Sequence, residues 1–165
     1  MSAIDKVLQR NAEFALNYDP ESISPQPRLK LAVLACMDTR ITLAALRLKP
    51  QDAHFIRNAG GIVTDDALRS LLVSHYFLGT KEVMVINHTD CGLMKASEED
   101  MHEAVEREAG LPPNSPVCFY AFSDVENNVR EQMSKLEAHS WIRERLIIRG
   151  FVFDVKTGRL SEVHQ

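Results

Sequence analysis

Three side chains of this 165-residue chain stand out for the chemistry they can do together: Cys36, His88 and Cys91. Two thiolates and an imidazole form a ligand set suited to a zinc ion, and the spacing His88-x-x-Cys91 lets one turn supply two of the ligands. Three protein ligands leave the fourth tetrahedral position free, which marks a catalytic rather than a structural zinc site. Water bound there has its pKa lowered to roughly 7, giving a hydroxide nucleophile near neutral pH. The run Cys36-Met37-Asp38-Thr39-Arg40 places two charges beside the first thiol. Asp38 can accept a hydrogen bond from the metal-bound nucleophile and orient it. Arg40 can pair with Asp38 and hold it ionised. If that pair breaks, Asp38 is near enough to become a conditional fourth ligand and close the site.

Residues so far apart in sequence need a scaffold that brings them together. Residues 29–35 (LKLAVLA) read as a buried strand running into Cys36. Residues 39–48 read as a helix stopped near Pro50, and 53–57 as a second strand closed by Asn58-Ala59-Gly60-Gly61. Thr64 is an N-cap candidate, followed by Asp65 and Asp66 where a helix dipole favours negative charge. That helix runs to about residue 78 and stops at Gly79, and residues 82–87 form a third strand ending just before His88. Strand, helix, strand, helix, strand predicts a parallel sheet with covering helices. The C-terminal ends of its strands then share one crevice, where Cys36, His88 and Cys91 can meet.

Beyond the crevice, residues 97–109 read as an exposed helix ended by Gly110, and Pro112, Pro113 and Pro116 as a connector. A helix over 122–138 with Ser123 as a possible cap follows, then a strand over 146–155 and a hairpin at Lys156-Thr157-Gly158 leading into 159–163. At the other end, Ser2 caps a helix to about residue 17 whose Ile4, Val7, Leu8, Phe14 and Ala15 share a face. Pro20, Pro25 and Pro27 make residues 19–28 an extended connector. A helix on such a tether packs on its own chain or reaches onto a neighbouring subunit. The expected fold class is α/β and three-layered. A mainly parallel central sheet of four strands, plus a C-terminal antiparallel strand, is flanked by helices and carries an N-terminal helical arm. One domain is expected over 1–165, with 1–28 as arm and linker and 29–165 as core.

Bulk properties narrow the partners. Hydrophobic residues make up 45% and charged residues 25%, which suits a globular domain. A net charge of -4 with no basic stretch argues against nucleic acid as the main partner. No apolar run is long enough to cross a bilayer, so no membrane partner is expected, and the N-terminus lacks a signal-peptide pattern. A cytoplasmic location is the expectation. Three cysteines are too few, and odd in number, for a disulfide framework. Cys118 reads as a small apolar core residue. His54 and His75 read as packed or surface side chains, and His102, His139 and His164 as solvent-facing. Asp90 is either a support for the ligands around it or a turn former, and Arg57 either a loop stabiliser or simply exposed.

The segments Cys36-Met37-Asp38-Thr39-Arg40, Arg57-Asn58-Ala59-Gly60-Gly61, His88-Thr89-Asp90-Cys91-Gly92, Ile148-Arg149-Gly150-Phe151-Val152-Phe153-Asp154 and Thr157-Gly158 recur here in order. In these the chain resembles the β-class carbonic anhydrases, in the short prokaryotic and archaeal form. The resemblance implies hydration of carbon dioxide to bicarbonate at zinc held by Cys36, His88 and Cys91, with Asp38 and Arg40 as the orienting and gating dyad. It implies that Asn58, Gly60 and Gly61 border the substrate, with glycine permitting close backbone approach. It also implies a homodimer, or a dimer of dimers, formed by exchange of N-terminal helices. Counterparts of the Gln and Tyr that plant-like members place near substrate are not evident. Hydrolysis of carbonyl sulfide or carbon disulfide on the same site is therefore the alternative. A non-catalytic zinc-binding or redox-sensing module is a third reading, against which Asp38 and Arg40 count.

Overall fold

The structure, a computed structural model, describes residues 1–165. Five strands form one sheet in the order β2-β1-β3-β4-β5. The strands are β1 (Leu31–Cys36), β2 (Ala53–Asn58), β3 (Glu82–His88), β4 (Ile147–Phe153) and β5 (Leu160–Val163). The first four run parallel, and β5 lies antiparallel to β4 after the turn at residues 154–159. β1 is an inner strand, between β2 and β3, and its apolar run is buried on both faces. Ala32, Val33, Leu34 and Ala35 are all fully inaccessible, the pattern expected of an inner parallel strand.

One face of the sheet is covered by helices α2 (Asp65–Tyr76) and α4 (Val125–Ala138). Leu71 of α2 and Val129, Met133 and Leu136 of α4 pack there with Ala32, Val83, Val85 and Val152. At Gly150 of β4, an added Cβ would run into Val129 and Met133, so glycine is what lets α4 lie close to the sheet. The local signals behave as the chain predicts. Thr64 caps α2 through its side chain, and Gly79 takes a positive φ just beyond the helix end. α4 begins three residues later than predicted, with Asp124 rather than Ser123 as its cap. Asp124 accepts the Asn127 amide at 2.8 Å.

The opposite face is covered by α3 (Glu98–Ala109) and by irregular chain. The helix expected over 39–48 does not form; this stretch is a series of turns. Its hydrogen bonds change partner from residue to residue, with Leu46 N donating to Leu43 O at 3.1 Å and Leu48 N reaching back to the same carbonyl at 2.9 Å. Arg47 and Gln51 take positive φ of 55° and 74°. The turns let Ile41 be fully buried, and Leu46 and Leu48 pack against the same core, while the chain still reaches the edge strand β2.

Helix α1 (Ala3–Ala15) is formed as predicted, with a capping box between Ser2 and Asp5, but none of its residues is buried. No helix in the structure is long and apolar enough to cross a membrane.

Candidate metal centre

β1 and β3 are neighbours, so their C-terminal ends deliver Cys36 and His88 to the same place, and the turn after β3 brings Cys91. The two thiol sulfurs and an imidazole nitrogen lie within 4.8 Å of one another, and all three residues are buried. His88 Nδ1 lies 2.8 Å from the Thr89 carbonyl. A carbonyl only accepts, so Nδ1 carries the proton and Nε2 presents a lone pair. Nε2 is buried without a hydrogen-bond partner. Such an orphaned atom between two thiols is accounted for by a metal ion, and thiolate with imidazole is a donor set that zinc accepts.

The two thiols are pushed in opposite directions: Cys91 is raised by its hydrogen bond to Cys36 and by burial, and Cys36 is lowered. The Cys36 thiol is held well below its ordinary range, chiefly by the hydrogen bond from the Cys91 thiol. Burial opposes the shift, while His88 and the Asp38 and Gly60 backbones support it. Burial is the largest influence on His88 and works against its charge, but Cys36, the Thr89 carbonyl and Asp38 together outweigh it, so its affinity for a proton rises. A cation placed among these groups would replace the shared protons that now compensate the thiolate.

Asp38 stands beside this cluster, its Oδ2 3.9 Å from His88 Nε2. Arg40 grips it with two parallel bonds, Nε to Oδ1 at 3.0 Å and Nη2 to Oδ2 at 2.7 Å. The Arg40 backbone N–H adds a third at 2.9 Å. This grip drives the Asp38 carboxyl far below the usual carboxylate range, against a smaller cost of burial. Arg57 stabilises the same segment, donating to the Cys36 carbonyl at 3.0 Å and the Asp38 carbonyl at 2.5 Å. Asp90 pairs with Arg40 at 3.0 Å and with Lys95 at 2.8 Å.

A cavity of about 310 Å³ opens on the cluster, with Ala59, Gly60, Leu93 and Met101 among its apolar walls. Of the three loop residues expected to border substrate, Gly60 lines this cavity. Asn58 uses its side chain to clasp the Ile62 backbone in two bonds, at 2.7 and 2.8 Å. Gly61, at φ 66°, packs where an added Cβ would lie 2.9 Å from the Cys36 amide nitrogen. Asn58 and Gly61 thus shape the loop, and Gly60 faces the cavity.

Sequence reasoning missed a string of buried amides behind the site. Asn87 donates to the Gly60 carbonyl at 2.7 Å, Asn128 donates to Asn87 at 2.7 Å, and Gln132 donates to Asn128 at 2.9 Å. The one available signal was the i,i+4 pair Asn128 and Gln132 on the apolar face of α4. Cys118 is exposed rather than buried in the core. It follows the proline connector, whose residues run over the surface. His54 is packed as expected, bonded to Ser74 at 2.7 Å and to the Pro25 carbonyl at 2.8 Å. His102 is only partly solvent-facing, as its ring packs edge-on against Phe119 at 5.0 Å.

A mostly parallel sheet presenting two cysteines and a histidine at its strand ends, open on one side and flanked by an Asp–Arg pair, defines an α/β protein with a ligand set that could hold a metal ion. Residues 31–115 match the family model for carbonic anhydrase. The chain is 38% identical over 165 residues to β-carbonic anhydrase 1 of Mycobacterium tuberculosis, covering 99% of each. It is 35% identical to a carbon disulfide hydrolase of Acidianus, over 98% of this chain and 89% of that one. A carbonic anhydrase of Streptococcus mutans has the same structure with a TM-score of 0.91, at 37% identity and 99% coverage of both chains. The chain belongs to the β-carbonic anhydrase family.

Proposed function

We propose that this protein catalyses the reversible hydration of carbon dioxide to bicarbonate and a proton, at a zinc ion held by Cys36, His88 and Cys91. The observation that carries the reading is the orphaned lone pair of His88 Nε2 between the two thiols, beside a carboxylate that is fixed but not spent on a ligand position. Bound zinc would supply a Lewis acid that makes water a nucleophile at neutral pH. The remaining work falls to the chain. Asp38, kept ionised by Arg40, is an acceptor only, and so orients whatever O–H group donates to it. Ala59, Leu93 and Met101 give the cavity apolar walls suited to a small uncharged substrate. Gly60 lets the backbone approach that substrate where a side chain would collide with Leu93.

The similarity to a carbon disulfide hydrolase keeps carbonyl sulfide and carbon disulfide as alternative substrates for the same site. The free thiols of Cys36 and Cys91 favour a reducing, cytoplasmic setting. The unburied stripe of α1 favours a homodimer or dimer of dimers.

The test is metal analysis with stopped-flow hydration of carbon dioxide, run beside sulfide release from carbonyl sulfide and carbon disulfide. Cys36→Ala and His88→Ala should lose both zinc and hydration. Full hydration by zinc-free protein would overturn the reading, and sulfide release without bicarbonate formation would move it to the alternative.

A further inference from the structure

The Asp38–Arg40 pair is one end of a longer chain of charges. The guanidinium of Arg40 uses Nε and Nη2 for Asp38, as described above. Its remaining terminal nitrogen, Nη1, donates to Asp90 Oδ2 at 3.0 Å, and Nη2 also reaches the Asp90 backbone carbonyl at 3.3 Å. The other Asp90 oxygen, Oδ1, is held by Lys95 Nζ at 2.8 Å. The order is therefore Lys95, Asp90, Arg40, Asp38, alternating in sign.

Asp90 occupies an unusual place. It lies between the ligands His88 and Cys91, and it adopts a positive φ of 57°. Asp and Asn tolerate that conformation better than other residues with a side chain. Stability does not explain the arrangement. The Arg40, Asp90 and Lys95 side chains are 42%, 49% and 62% exposed, and ion pairs at such exposure contribute little to folding. Position explains it better. Arg40 held by Asp38 alone would follow that carboxylate when it moved. Held also by Asp90, it becomes a fixed post. Asp38 can then leave only by breaking two bonds to a guanidinium that stays behind, besides the one from the Arg40 backbone, and it needs to move little, because His88 Nε2 is 3.9 Å away.

We propose that Asp90, braced by Lys95, is a positioning residue that fixes Arg40 in the orientation keeping Asp38 off the metal. The inference rests on the reading of Cys36, His88 and Cys91 as a zinc site. Its test uses Asp90→Asn, which suits the positive φ and keeps an acceptor but removes the charge. Lys95→Met and Lys95→Arg accompany it, each as zinc-loaded and as cobalt-substituted protein. Asp90→Asn should keep its metal and lose about ten-fold in kcat with little change in KM, the size of effect usual for a group that orients the immediate surroundings of a metal. The visible spectrum of its cobalt form should shift toward that of Arg40→Ala, as carboxylate replaces solvent. Lys95→Met should move the same way by less, and Lys95→Arg should restore wild-type behaviour. Wild-type kcat in Asp90→Asn, or a loss of activity with an unmoved cobalt spectrum, would overturn the proposal. An inactive wild-type enzyme would instead count against carbon dioxide as substrate, and the cobalt spectra would still report on Asp90.

Discussion

At the scale of single residues, the site separates groups that hold from groups that act. Cys36, His88 and Cys91 line the cavity and Arg57 braces the backbone at Cys36 and Asp38, whereas Asp38 reaches the cavity with a carboxylate whose every bond comes from Arg40. Asp38→Ala should therefore bind zinc as the wild type does and lose roughly 10- to 100-fold in turnover. Zinc content and hydration rate measured on one preparation check this, and normal turnover would remove Asp38 from the mechanism. The candidate ligands and the Asp–Arg pair were legible from their types and spacing, because Cys36, His88 and Cys91 fall at predicted strand ends and suit a metal. The buried amides Asn87, Asn128 and Gln132 were not. Each is an ordinary polar residue in its own segment, and their purpose appears only when β3, α4 and the glycine loop meet.

At the scale of elements, capping chemistry carried over well, because a cap depends on residues within one turn. Ser2 and Thr64 cap where expected, Ser97 caps α3, and Gly110 closes α3 at a positive φ of 70°. Residues 39–48 fail as a helix for a non-local reason. Asp38 and Arg40 must sit beside the ligand turn while Ile41 plunges into the core, and a regular helix starting there cannot meet both demands. Glu98 illustrates how an exposed-looking acidic cluster can also do structural work. Its carboxylate accepts the backbone N–H groups of Phe119, at 2.5 Å, and Ala121, at 3.1 Å, tying the segment after the proline connector to the start of α3. Those bonds hold its carboxyl below the ordinary value of 4.5. A depressed folded-state pKa contributes stability above the unfolded value that is lost as pH falls through the folded one. Wild-type protein should thus exceed Glu98→Gln in urea stability near neutral pH, and the gap should close as pH falls below 4.5. A gap independent of pH would mean that the carboxylate's charge is not what ties the segment down.

At the scale of the whole molecule, the outstanding feature is a helix with nothing to cover it. Ile4, Val7, Leu8 and Phe14 of α1 are 72%, 62%, 63% and 64% exposed, an apolar stripe at helical spacing that a monomer leaves in water. The linker behind it is not loose. Ser24 N–H donates to the Gln51 side chain at 3.1 Å, Arg28 N–H donates to the Gln51 carbonyl at 2.9 Å, and His54 binds the Pro25 carbonyl. The chain is thus pinned to the core from Ser24 onward, and eight residues, Leu16 to Ile23, separate that point from the end of α1. Elsewhere on the surface, Leu68, Leu72, Val73, Tyr76, Phe77 and Trp141 line an apolar groove of about 740 Å³ between α2 and the end of α4. The proposed dimer would pair this stripe with this groove across a two-fold axis, each protomer lending its helix to the other. Wild-type protein should run as a dimer or larger in light scattering at micromolar concentration, and Leu8→Asp with Phe14→Asp should shift it toward monomer while leaving zinc binding intact. A monomeric wild type, or a double variant that stays dimeric, would show that the stripe is not the contact between subunits. The zinc measurement matters because no ligand lies on α1. Loss of metal along with the dimer would mean that the site depends on assembly, through the partner chain, rather than on β1 and β3 alone.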